Sequence, residues 1–245
     1  MMVPRVYANV CQNKTDAGGA CCSGDIVIDP SITAIADNAF NGCSGLTSVY
    51  MPHITFVGNS AFYSCSNLNK VVMPLVTYLG DASFFECFNL TAVDMPVVTS
   101  MGNSVFKWCS QLTEVNMSLV TSVPENTFTE CSSLSNVRMP LVTSVGNQAF
   151  ESCSSLSSVD MPVLASVGDN AFASCSSLHS FNAPSQVSLP LVTSMGTNAF
   201  KGCSTFTRLN AWDCDGPEFH GIPVVAGFLF FQFFVQCTKF IKITY

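Results

Sequence analysis

The residues of this 245-residue chain with the most chemistry in them are its 13 cysteines. Cys43, Cys65, Cys87, Cys109, Cys131, Cys153 and Cys175 follow one another at intervals of 22 residues, and Cys203 follows after 28. Each is preceded three residues earlier by a phenylalanine, from Phe40 and Phe62 through Phe172 and Phe200. A fixed interval places one thiol in each unit of a repeat, so the eight form a file. Zinc needs four ligands converging on one point, and a file of single thiols without companion histidines does not supply them. In-register side chains also point the same way, which disfavours disulfides within the file. The file is expected to be buried free thiols, packing as small hydrophobes beside the phenylalanines. Cys11, Cys21, Cys22, Cys214 and Cys237 lie outside the period, and their redox state stays open.

Little else in the chain suggests catalysis. His53, His179 and His220 fall at unrelated positions, and H-E-x-x-H, G-x-S-x-G and G-x-x-x-x-G-K-[ST] are all absent. Asp213 and Asp215 in W-D-C-D-G-P lack the further spaced oxygens of a calcium loop. The recurring serines sit in repeat register, which marks them as corner residues. The expectation is a non-enzyme with neither cofactor nor metal. Nine Lys and Arg against 16 Asp and Glu give a net charge of −7, and the basic residues form no run, which excludes nucleic acid as a partner. With 10% charged residues and abundant Ser, Thr and Asn, the surface is neutral-polar.

The thiol file belongs to a longer recurring unit, seen at its clearest in Met139 to Leu156, M-P-L-V-T-S-V-G-N-Q-A-F-E-S-C-S-S-L. The whole repeat reads L-x-x-V-x-M-P-x-V-T-S-V-G-x-x-A-F-x-x-C-S-S. It resembles the BspA-type leucine-rich repeat, the Treponema-type subclass. Leu156, Val159 and Met161 fill the L-x-x-L-x-L strand signature, and G-x-x-A-F-x-x-C is the feature particular to the subclass. The resemblance implies a solenoid of about eight 22-residue repeats over residues 25–212. Its concave face would be a parallel β-sheet, with short strands and 3₁₀ or helical turns on the other faces. Cell-surface adhesion or attachment to host or matrix protein is the role it implies, although no signal peptide is visible in the sequence.

The periodicities assign the elements that carry the file. In V-x-M the period is two, so Val and Met face inward and the residue between them outward. Proline then ends the pairing at Pro52, Pro74, Pro96, Pro140 and Pro162, with Ser118 the exception. V-T-S-V alternates again as a short second strand with Val142 and Val145 inward, and Gly146 allows a corner. N-Q-A-F-E-S-C is too short for a stable α-helix, and a single helical or 3₁₀ turn that tucks in Phe150 and Cys153 is expected. Such units cannot bury their faces alone and must stack, at about 4.8 Å per coil.

Three segments depart from the period. Residues 1–24 are either a cap, stapled through Cys11, Cys21 and Cys22, or a disordered leader. Ala183 to Ser188 adds six residues, as a surface loop or a bulge beside a binding face. Residues 213–245 hold the apolar run Ile222 to Cys237, which reads as a cap over the last coil, a membrane-associated tail, or sequence foreign to the fold; its 16 residues fall short of a bilayer-spanning helix.

The candidate binding site is the outward column of the inner sheet. Tyr50, Val72, Asp94, Asn116, Arg138, Asp160, Asn182 and Asn210 stand between the Val and Met positions, flanked by Lys70, Glu114, Asn136 and His179. These positions vary while the frame around them does not, which fits either a recognition stripe or an ordinary solvated face. Asn13, Asn89 and Asn116 sit in N-x-[ST] sequons, and a glycan on Asn116 would obstruct the stripe. The expected function is binding of a protein or other macromolecule through the concave sheet by a monomer at the cell surface; the alternative is an intracellular interaction scaffold, which the many unpaired thiols suit.

Overall fold

The computed structural model describes residues 9–11, 21–182 and 193–203. The Ala183–Ser188 insertion, the Trp212–Pro217 turn, the apolar run 222–237, Asn13, Asn210, Cys214 and Cys237 lie outside the described residues. Among the described residues there are seventeen short strands, of which sixteen alternate between two faces of a parallel solenoid. The front strands are β2 (Ser23–Ile28), β4 (Gly45–Tyr50), β6 (Lys70–Val72), β8 (Ala92–Asp94), β10 (Glu114–Asn116), β12 (Asn136–Arg138), β14 (Ser158–Asp160) and β16 (Ser180–Asn182). The side strands are the two-residue β3 (Ala34–Ile35), β5 (Phe56–Val57), β7 (Tyr78–Leu79), β9 (Ser100–Met101), β11 (Ser122–Val123), β13 (Ser144–Val145), β15 (Ser166–Val167) and β17 (Ser194–Met195). Ahead of them, β1 (Asn9–Cys11) pairs with β2 and adds a strand to the front sheet. Pairing is parallel and in 22-residue register, as in Val137↔Val159 and Arg138↔Asp160.

The core is the set of inward columns the period defines. Leu134, Val137, Met139, Val142, Val145, Phe150 and Cys153 are all buried, and their equivalents in neighbouring coils repeat the pattern. The phenylalanine rings stack along the axis at 5.1–5.6 Å and within 14° of parallel. Phe200 stacks on Phe172 at 5.2 Å across the 28-residue interval, so the coils flanking the insertion keep the common spacing.

On the back, where a helical or 3₁₀ turn is expected, the chain runs through consecutive β-turns. Gln148 and Ser152 adopt left-handed φ of 55° and 60°, and the equivalent pairs in other coils do the same. That reversal turns alternate N–H groups along the axis. Gln148 N donates to Asp169 O at 2.8 Å, Phe150 N to Ala171 O at 2.7 Å and Ser152 N to Ala173 O at 2.8 Å. A helical turn would consume those donors within the coil; the β-turns spend them between coils and make a third ladder. Among the described residues there is no α-helix, and a 3₁₀ turn occurs only at Cys21 and Cys22.

The glycine column also has a different cause from a corner. Gly146 and Gly168 are not among the residues with positive φ. A Cβ on Gly168 would lie 2.6 Å from Asn147 N, and one on Gly146 2.7 Å from Glu125 N. Backbone rests on backbone there, and any side chain would separate the coils.

Two outcomes follow. Phe150→Ala should lower the unfolding free energy by about 3 to 5 kcal/mol through the cavity it opens in the ring stack, measured by denaturant melts. Ser83 occupies an alanine position of the repeat with its Oγ buried and without a hydrogen-bond partner. Ser83→Ala should therefore raise stability by about 1 kcal/mol in the same melts.

Candidate functional site

The thiol file is structural, and the geometry says why. Each Sγ donates to the carbonyl of the phenylalanine in the preceding coil: Cys109 to Phe84 O at 3.2 Å, Cys131 to Phe106 O at 3.1 Å, Cys153 to Phe128 O at 3.1 Å and Cys175 to Phe150 O at 3.1 Å. Burial pushes the Cys87, Cys109, Cys131, Cys153 and Cys175 thiols far up, and Cys203, nearer the surface, up to about 11. Burial that holds the proton in this way works against formation of the thiolate. Among the described residues no three His, Cys, Asp or Glu side chains are grouped to hold a metal ion.

Cys43 corrects the expectation of a wholly free file. It is disulfide-bonded to Cys22, with Cα atoms 4.7 Å apart. The geometric objection applies to neighbours within the file, whereas Cys22 arrives from outside the period, on the chain that leads into β2. Cys21, fully buried, is disulfide-bonded as well.

The front sheet brings most of the predicted stripe together. One outward column runs Tyr50, Val72, Asp94 and Asn116 on β4 to β10, then Arg138 and Asp160 on β12 and β14, and Asn182 on β16 is paired with Asp160 in the register. Tyr50 is 45% exposed. Stacked one coil apart, the polar members engage one another: Asn116 Nδ2 donates to Asp94 Oδ1 at 2.7 Å, and Arg138 Nε lies 3.4 Å from Asp160 Oδ2. The Arg138 side chain is nevertheless 80% exposed, so its charge stays available and the exposed pair adds little to stability.

A second outward column, two residues earlier in each coil, runs Ser48, Lys70, Ala92 and Glu114, then Asn136, Ser158 and Ser180. His179 does not belong to it. It stands one position earlier, exposed, with its backbone N–H donating to Ser157 O and Nδ1 3.0 Å from Ser177 O.

The sequence reading omitted two features of this surface. A bulge at Gly24 brings Asp25 beside Ser48, where its carboxylate accepts from Ser48 Oγ at 2.6 Å and Thr47 Oγ1 at 2.8 Å, and these bonds hold it below the usual carboxylate range. Asp25 lies in the irregular first coil, where the 22-residue register gives no signal. At the corner after the front strand, Leu75, Leu119, Leu141 and Val163 stand exposed in a row. Each stands two residues after the strand-ending methionine, a recurrence legible in the sequence. A shallow groove of about 420 Å³ crosses the side sheet over Ser122, Ser144 and Ser166, away from the stripe, and no titratable residue lines it.

The sequence matches the profile described as BspA type leucine rich repeat region, over residues 19–134 and 99–213. Among solved structures, the Treponema pallidum leucine rich repeat protein TpLRR is 26% identical with a TM-score of 0.53, covering 76% of this chain and 78% of that one. A leucine rich cell surface protein of Faecalibacterium prausnitzii is 25% identical with a TM-score of 0.57, and 75% of this chain aligns with 59% of it. No curated protein is significantly similar.

The raised thiols make stability fall in alkali. Unfolded cysteines lose their protons near the ordinary value of 9.0, while the folded ones keep them to much higher pH. The unfolded state therefore binds fewer protons above that point, and stability declines as pH rises through it. Urea melts should give a level unfolding free energy up to about pH 8 and a clear loss by about pH 10, with a shallower loss for Cys153→Ala. A wild-type profile level to about pH 10 would contradict burial of the file. The repeat profile, which spans most of the sequence, and the parallel solenoid together make this chain a member of the BspA-type leucine-rich-repeat family.

Proposed function

We propose that this chain is a non-enzymatic recognition module of the cell surface that binds a protein or other macromolecular ligand, as a monomer, through the outward stripe of its front sheet. The observation that carries the reading is the contrast between frame and stripe. Val, Met and Phe repeat from coil to coil, while the column Tyr50, Val72, Asp94, Asn116, Arg138, Asp160 changes chemistry at nearly every step. A fixed scaffold that presents a mixed aromatic, acidic, amide and basic row is how repeat proteins offer a specific surface. Lys70 and Glu114 widen the row, and Asn182 and His179 extend it toward the last coils.

Two observations favour the surface over an intracellular scaffold. Cys22–Cys43 and the oxidised Cys21 belong to a protein that matures in an oxidising compartment. The Faecalibacterium relative is described as a cell surface protein. Among the described residues no helix is long and apolar enough to cross a membrane.

The test is surface labelling of the tagged full chain, followed by capture of ligands with wild type and with an Asp94→Lys, Arg138→Glu, Asp160→Lys variant. The expected result is surface exposure and a loss of capture of roughly tenfold or more in the variant, with its melt unchanged. Undiminished capture would remove the front stripe as the site. A wholly cytoplasmic protein with reduced Cys22 would favour the scaffold.

A further inference from the structure

The ladders do not run unbroken from end to end. At the junction between the coil of Cys109 and the coil of Cys131 they lapse together. The front sheet ends at β10 and restarts at β12, and the side sheet ends at β9 and restarts at β11. Thr99 donates through both N and Oγ1 to Thr77 O, and Thr143 does the same to Thr121 O, but Thr121 donates through neither to Thr99. The residue after most of the glycines bonds back through its N–H to an Asp or Asn side chain, as Asn103 N does to Asp81 Oδ1 at 2.7 Å and Asp169 N to Asn147 Oδ1 at 2.9 Å; Glu125 N makes no such bond, and neither does Asn147 N, whose counterpart in the preceding coil is Glu125.

One substitution accounts for the cluster. Where other coils have Gly58, Gly80, Gly102, Gly146, Gly168 and Gly196, this coil has Pro124. Each of those glycines donates its N–H to the preceding coil, as Gly102 N does to Leu79 O at 2.8 Å, and proline has no N–H to give. Proline also brings the Cβ that the close approach excludes at the glycine positions. Ser118, in place of the usual proline, closes its corner over a 3.5 Å Val120 N to Met117 O bond, against 3.1–3.4 Å in the coils that keep the proline.

The back, by contrast, is intact. Ser104, Phe106 and Trp108 N–H groups donate to Glu125, Thr127 and Thr129 carbonyls at 2.8–2.9 Å. Cys131 Sγ reaches Phe106 O at 3.1 Å, and Phe106 and Phe128 still stack, at 5.6 Å. Bonds lost on two faces and kept on the third describe a hinge whose axis is the back.

We infer that the array is two rigid blocks joined along the back at the Pro124 junction, and that opening there changes the angle between the front face that carries Asn116 and the one that carries Arg138. The inference concerns the scaffold and stands whether or not the stripe binds a ligand. Hydrogen exchange read by mass spectrometry on the full chain tests it. Thr121 and Glu125 amides should exchange at least about tenfold faster than Thr99, Asn103, Thr143 and Asp169. Pro124→Gly, which restores the residue of the other coils, should slow exchange at Thr121 and Glu125 by a similar factor. Equal protection at all six amides in wild type would overturn the inference, and the wild-type comparison decides it even where the variant fails to fold.

Discussion

Everything in this molecule depends on backbone lying on backbone at a spacing of about 5 Å, the separation of hydrogen-bonded strands. That distance is short enough for ladders on three faces, and it is set by the thinnest point of the coil, the glycine column. A Cβ at Gly168 would meet Asn147 N at 2.6 Å. The side chains above and below inherit the spacing. Phenylalanine rings stack at it, thiols reach the carbonyl of the next storey across it, and polar residues of the front face meet their neighbours over it. One constraint thus fixes the core, the thiols and the pitch of the surface row.

The same constraint explains how a chain with so few charges stays ordered. No coil buries enough apolar surface to fold by itself, and stability is shared between neighbours. Most polar groups that would be stranded in the wall are used along the axis. Asp37, Asn59 and Asp81 accept the N–H of the following coil, and Thr55, Thr77 and Thr99 hydroxyls donate to the preceding one. Side chains that look like surface decoration are rungs of the ladder, and along the stripe of the front sheet the residue type changes from one coil to the next.

Much of this was legible in the sequence because it is periodic. The Phe and Cys columns, the Val-x-Met alternation and the short second strand are all read from a 22-residue count. The back was not, since its left-handed positions are held by Gln148, Ser152, Glu130 and Trp108, residue types that carry no glycine-like signal. Gly146 was visible but suggested a corner, because close approach between coils is a property of the stack and not of the segment. Cys22–Cys43 escaped because one partner lies outside the period. Pro124 was in plain view at a glycine position, and its meaning needed the neighbouring coil.

Nitroxide side chains on the side sheet give the most direct measure of the shared spacing. Placed in pairs at Ser100, Ser144, Ser166 and Ser194, they should show separations that grow by roughly 5 Å for each intervening coil. The step from Ser166 to Ser194, which spans 28 residues, should equal the step from Ser144 to Ser166, which spans 22. Separations that fail to grow with coil number, or that follow residue count instead, would contradict a stack of coils in register.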